Sequence, residues 1–198
     1  MSNKKQIWLL RHAETEWSVN GRHTGRTDIP LTPAGEERAK VLQKRLADKS
    51  FGLVLVSPLD RAKQTCRLAG LLDQAEEEPN LMEWDYGDYE GVKTVDIRKD
   101  VPGWTIWSAP VPNGETPEDV AARARHVIDR AMAADGDVAL FSHGHFLRVL
   151  AATYLELPPQ DGRFFELTTG TMCILGFEHE YRTIKLWNQA ADLVPQGD

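Results

Sequence analysis

Cysteine is scarce in this chain of 198 residues, which holds only Cys66 and Cys173. Two cysteines cannot build a disulfide framework, so a stapled secreted scaffold is excluded and a reduced, cytoplasmic compartment is expected. Positive charge is also in deficit. Lys and Arg number 23 against 30 Asp and Glu, a formal net charge of −7, which argues against nucleic acid or an anionic membrane as the partner. No apolar stretch approaches the length of a membrane span, and Met1 to Gln6 is too polar and too short for a signal peptide. Internal repeats are missing, as is any Gly-, Ser- or Pro-rich linker that would divide residues 1–198 into more than one domain. Hydrophobic residues make up 41%, enough for an ordinary globular core.

What is present is a set of unbroken apolar runs: Ile7 to Leu10, Leu53 to Val56 and Val138 to Phe141. Continuous rather than alternating hydrophobicity predicts strands covered on both faces, the habit of parallel sheets. Thr32-Pro33, Ser57-Pro58 and Thr116-Pro117 each offer a hydroxyl cap followed by proline at a first helical position. Asp60 and Asp119 follow their caps at capping-box spacing. The first helix should bury Ala39, Leu42 and Leu46, and another Val120, Ala124, Val127, Ile128 and Ala131. Cys66 shares a helical face with Leu59, Ala62 and Ala69, a core position. A further helix starts near His143, and Met172 to Phe177 and Thr183 to Trp187 read as closing strands. Alternating elements predict a three-layer α/β/α sandwich around a mostly parallel sheet. Residues 83–113, with Trp84, Trp104 and Trp107 and little periodicity, read as a lid-like insert. Glu76-Glu77-Glu78 reads as a solvated turn, and the tail after Asn188 as a loose end.

Ligands of open parallel sheets bind beyond the carboxyl ends of the strands. Each apolar run ends in residues suited to phosphate: Arg11-His12 after the first, Ser57 and then Arg61 after the second, His143 after the third. Arginine offers a planar fork of donors that matches phosphate oxygens and keeps its charge. A helix beginning at His143-Gly144 would aim backbone N–H groups at the same oxygens. Neutral histidine is a sound phosphoryl acceptor. Transfer to it then needs one group that protonates the leaving oxygen and later activates water. The segment Leu81 to Gly91 supplies Glu83, Asp85, Asp88 and Glu90. Glu83 is the leading candidate, since beside Trp84 and a bound anion its carboxyl should hold a proton more readily.

Together these segments resemble the histidine phosphatase superfamily, in the branch that contains cofactor-dependent phosphoglycerate mutases and many small phosphatases. Arg11-His12 resembles its signature, and Gly21 to Thr32 the loop that follows. Ser57-Pro58-Leu59-Asp60-Arg61-Ala62-Lys63-Gln64-Thr65 and Ser142-His143-Gly144-His145 are similar to the segments carrying the second arginine and second histidine. The resemblance implies a phosphoglycerate mutase-like fold. It makes His12 the phosphorylated nucleophile, with Arg11, Arg61 and His143 around the phosphate, and selects Glu83 as proton donor and acceptor. It places Ser18, Arg22, Thr24, Gly25, Tyr86 and Gly144 near the substrate and calls for no metal or other cofactor. Ala13 stands where the family usually has glycine, so the loop must keep φ negative there or carry strain. Ser18 stands where the mutases have asparagine. The phrases around Glu14 to Ser18, Glu83 to Gly91 and Asn113 to Thr116 look closest to sugar-phosphate phosphatases, including sedoheptulose-1,7-bisphosphatase-like and broad acid phosphatase members.

The expected activity is therefore hydrolysis of a small phosphorylated metabolite, a sugar phosphate or bisphosphate, with an optimum on the acidic side. A phosphoglycerate mutase and a non-catalytic phosphate-binding module are the alternatives. His145 reads as structural, His23 as lining the entrance, and Lys93, Arg98 and Lys99 as a solvated face. Trp84, Trp104 and Trp107 fit core and pocket equally. An exposed strand edge would allow a homodimer.

Overall fold

The apolar runs form strands buried on both faces, as their unbroken hydrophobicity requires. In the computed structural model, which describes residues 5–190, β1 (Ile7–Arg11) leads through α1 (Glu16–Asn20) and α2 (Pro33–Leu46) to β2 (Phe51–Val56). Next come α3 (Asp60–Leu68), β3 (Ala75–Glu77), α4 (Thr94–Asp100) and α5 (Pro117–Ala133). The chain closes with β4 (Asp137–Ser142), α6 (Gly144–Tyr154), β5 (Thr171–Glu178) and β6 (Tyr181–Ala190). The six strands form one sheet in the order β3-β2-β4-β1-β5-β6. β3, β2, β4 and β1 are parallel, while β5 and β6 add an antiparallel edge.

Strand alternation sorts the core into two layers. Ile7, Leu9, Leu55, Val138 and Leu140 face α5 and α6, packing with Val120, Val127, Phe146 and Leu150. Trp8, Leu10, Val54, Val56 and Phe141 face α2 and α3, packing with Leu42, Leu46, Ala62 and Cys66. The result is the expected three-layer sandwich. Cys66 and Cys173 lie in opposite layers, so the sheet itself separates them. Among the described residues no helix is long and apolar enough to cross a membrane.

Two of the three hydroxyl caps form as expected. Thr32 accepts from Gly35 N, and Thr116 closes a capping box with Asp119. Ser57 does not cap a helix. α3 begins only at Asp60, whose N–H donates to Asp28 Oδ1 at 2.7 Å, while the Ser57 hydroxyl is taken by His143. Asp60 is thus the first helical residue rather than a capping-box partner. Glu76-Glu77-Glu78 is not a solvated turn either. Its first two residues end β3, and Glu78 is buried against Arg130 and Asn80. α1 and α4, five and seven residues long, are too short to leave a periodic signal. β6 extends to Ala190; the rest of the expected tail lies outside the described residues, as do residues 1–4 of the polar N-terminus.

Candidate active site

Register brings the site together. Phe141 of β4 pairs with Leu10 on one side and Val56 on the other, so three parallel strands finish at one level. His12 N then donates to Ser142 O at 2.9 Å and Ser57 N to Phe141 O at 2.9 Å. The rings of His12 and His143 consequently lie 5.2 Å apart, centroid to centroid.

The two histidines are held differently. His12 Nδ1 donates to Ala13 O at 2.7 Å, which leaves Nε2 with the lone pair that a nucleophile needs. Burial, then the charges of Arg61 and Arg11, hold this imidazole well below the ordinary histidine value of 6.5, so it stays neutral. His143 is fully buried, with Nε2 and the Ser57 hydroxyl 2.7 Å apart and Nδ1 unpartnered. Burial and then Arg61 hold it neutral as well. Ala13, the departure from glycine, is buried, keeps φ outside the positive region and donates its N–H to Thr65 Oγ1 at 3.0 Å.

Around these rings stand two arginines. Arg11 donates through Nη1 to Leu167 O, and its Nε has no partner. Arg61 is wholly buried. Its Nη2 donates to Thr24 O at 3.1 Å and Gly25 O at 2.8 Å, and its Nη1 to Thr27 O at 3.0 Å. The Nε of Arg61 is also unpartnered. Glu90 clamps the same loop from the other side, accepting from Gly25 N and Thr27 N. Buried N–H donors without partners suit an incoming oxyanion.

Glu83 plays a part that no local pattern announces. His143 occupies the N-cap position of α6 but makes no capping bond. Glu83 does so instead. Its Oε1 accepts from Phe146 N at 2.8 Å and Trp84 N at 2.9 Å, and its Oε2 from His145 N at 3.1 Å. Trp84 is buried beside it as expected, yet the carboxyl's nearest partners are backbone amides rather than an apolar ring. Gly144 leaves room for the Arg11 guanidinium, since a Cβ would lie 3.0 Å from Arg11 Cζ and push it aside. Tyr86 and His145 form a second pair, with the phenol oxygen 2.6 Å from Nδ1. Burial, then Glu83, raise the phenol well above its usual range, while burial and then Arg148 keep His145 neutral. The phenol and the imidazole therefore share a hydrogen bond between two neutral groups.

A cavity of about 120 Å³ opens over this arrangement. Of the residues anticipated from sequence, Arg11, His12, Ser18, Arg22, Thr24, Glu83, Tyr86 and Gly144 line it. Arg61, His143 and Gly25 are buried close by but are not on its wall. The Gly25 N–H is already bonded to Glu90, and Ser18 Oγ closes the cap of α1 with Thr15. His23, His145, Arg148 and Leu167 complete the wall. For Arg148 a signal existed, since it follows Gly144 by four residues on one helical face. The rings of His143 and His145 bond to Ser57 and Tyr86 respectively. Trp84 and Trp104 are core residues, while Trp107 stacks under Arg148 at 4.6 Å.

A family model described as the histidine phosphatase superfamily (branch 1) matches residues 7–190. The acid phosphatase of Mycobacterium tuberculosis is 38% identical over 183 residues, which are 90% of this chain and 90% of that protein. Sedoheptulose 1,7-bisphosphatase of Saccharomyces cerevisiae is 34% identical over 184 residues, covering 77% of this chain and 68% of that one. The solved structure of an open reading frame product from Mycobacterium tuberculosis superposes with a TM-score of 0.88 at 36% identity, over 94% of this chain and 98% of that one.

Proposed function

The chain belongs to the histidine phosphatase superfamily, and from that premise we propose a phosphomonoesterase that hydrolyses small phosphorylated metabolites, sugar phosphates or bisphosphates, through a phosphohistidine. The observation that carries this reading is the state of His12. Its Nδ1 is spent on Ala13 O, the ring stays neutral, and it faces a cavity whose wall includes Arg11 and Glu83.

In the first step His12 Nε2 attacks phosphorus, and the bond to the leaving oxygen breaks as a proton from Glu83 reaches that oxygen. In the second, Glu83 takes a proton from water, whose oxygen attacks phosphorus, and the P–N bond breaks to release phosphate. Arg11 and Arg61 neutralise the charge that spreads over the equatorial oxygens, and the neutral ring of His143 offers them a hydrogen bond. Ser18, Arg22, Thr24, Tyr86 and Gly144 shape the approach of the rest of the substrate. Every step uses groups of this chain. The two buried, unpaired thiols fit a reducing, cytoplasmic setting.

The test is a rapid alkaline, denaturing quench during turnover of a labelled phosphate ester. An alkali-stable, acid-labile phosphoprotein is expected with the wild type and none with His12→Ala. Turnover without such a species would refute the covalent step.

A further inference from the structure

The cavity carries more positive charge than one phosphoryl group requires. Arg11, Arg22 and Arg148 line it against a single carboxylate, Glu83. The three histidines on the wall, His12, His23 and His145, are all held toward the neutral form by burial. Arg11, with Arg61 behind it, already supplies two guanidinium charges for one phosphoryl dianion. Arg22 and Arg148 are left over; Arg22 is exposed and lies over the Trp17 ring at 5.7 Å, whereas Arg148 is half-buried.

Its placement is specific. Gly144 backs the Arg11 guanidinium, and Arg148 lies four residues further along α6, about 6 Å along the helix axis. Arg148 is also fixed in advance. Its Nε donates to Gly162 O at 3.0 Å and its Nη2 to Arg163 O at 3.1 Å, and the guanidinium stacks on Trp107. Gly162 permits this packing, since a Cβ there would lie 2.9 Å from Trp107 Cζ3. These bonds occupy Nε and Nη2 and leave Nη1 for a ligand. An arginine ordered beforehand loses little side-chain freedom when it binds. Burial, then repulsion from Arg11, lower its pKa, so an anion between the two guanidinium groups relieves a strain already present.

Resting on the phosphomonoesterase reading, we infer that Arg148 is a specificity-determining residue. It binds a second anionic group of the substrate, a carboxylate or another phosphate, about one helical turn from the phosphoryl group taken by His12. On the same wall, the neutral imidazole of His145 suits a hydroxyl. The substrate class is a polyhydroxylated compound with two anionic ends.

The test compares wild type, Arg148→Met and Arg148→Lys on three esters: a hexose 1,6-bisphosphate, a phosphorylated hydroxy acid and p-nitrophenyl phosphate. Arg148→Met is expected to lose roughly 10- to 100-fold in kcat/KM on a two-anion ester, mostly through KM. The loss on p-nitrophenyl phosphate should be at least about tenfold smaller, and Arg148→Lys should recover part of the difference. The two-anion ester that suffers more identifies the second group as phosphate or carboxylate. Equal losses on all three esters would mean that Arg148 merely supports α6 and Trp107, and would overturn the inference. A second measurement separates this from the activity itself. In a His12→Ala background, calorimetry should show Arg148→Met weakening the hexose 1,6-bisphosphate but not the hexose 6-monophosphate. Unchanged affinity for the bisphosphate would overturn the inference. Absence of hydrolysis by the wild type would refute the phosphomonoesterase reading and leave this calorimetric comparison to decide on Arg148.

Discussion

The floor and the wall of the cavity are built by different means. The floor consists of strand ends in fixed register, where Phe141 aligns β1 and β2 and so sets His12, His143 and Ser57. The wall comes from α6, residues 18–24 and the segment that starts at Glu83, the last of which is pinned by side chains rather than by ladders. Arg123 holds it through Glu115 at 2.7 Å, Asn80 O at 2.7 Å and Met82 O at 2.9 Å, and Arg26 approaches Asp85 at 3.7 Å. A sheet cannot shift one strand without disturbing its neighbours, whereas a wall tied by individual bonds can be rebuilt piecemeal. The floor therefore fits a constant reaction, and the wall a changeable choice of substrate.

That contrast can be broken most directly at His12. Loss of the nucleophile should lower kcat by about 10³-fold or more on every ester alike, as steady-state rates on esters of unlike alcohols would show. Residual turnover of a few per cent on any of them would end the assignment. Glu83→Gln should cost about 10²-fold or more on alkyl phosphates, and clearly less on p-nitrophenyl phosphate, whose leaving group departs without a proton. A loss indifferent to the leaving group would remove Glu83 from proton transfer.

Acidity sharpens the comparison next. His12, His143 and His145 are all held well below 6.5 in the folded chain. As pH falls below that value the unfolded chain takes up protons that the folded chain refuses, so stability declines toward acid. Denaturant midpoints should drop between neutral pH and pH of about 5, by an amount on the order of 1 kcal/mol for each histidine. Because His12 stays neutral, the acid limb of kcat/KM should lie below 6.5, and Arg11→Gln should move it upward by removing a positive neighbour. Ser57→Ala leaves His143 without its Nε2 partner and should cost about fivefold to tenfold in kcat, uniformly across substrates. Smallest of all, Cys66 and Cys173, each pushed up to about 12 by burial, should resist a thiol reagent until the chain unfolds.

The floor was far more legible in the sequence than the wall. Unbroken apolar runs ending in Arg11-His12, Ser57 and His143 carry their own three-dimensional meaning, because parallel strands deliver their carboxyl ends to one crevice. Thr32-Pro33 and Thr116-Pro117 mark helix starts through local chemistry alone. Ser57-Pro58 has the same local form, yet His143, at the start of α6, bonds to the hydroxyl, and nothing near Ser57 records that. The bond from Glu83 to the start of α6 and the stack of Trp107 on Arg148 join segments far apart along the chain. Periodicity and capping rules do not report such encounters, so the segment after Glu83 stayed without pattern; the spacing of Arg148 from Gly144 was legible, but its stacking partner was not.

Arg61 grips the entrance loop only through the carbonyl oxygens of Thr24, Gly25 and Thr27. Every amino acid carries that oxygen, so the fastening is blind to which side chains the loop displays. Descendants of this chain can exchange Thr24 or Thr27 and meet new molecules at the mouth, while the guanidinium beneath keeps the same hold. Lysine at position 61, with one flexible ammonium, could not span the three oxygens, and that freedom to diversify would go with it.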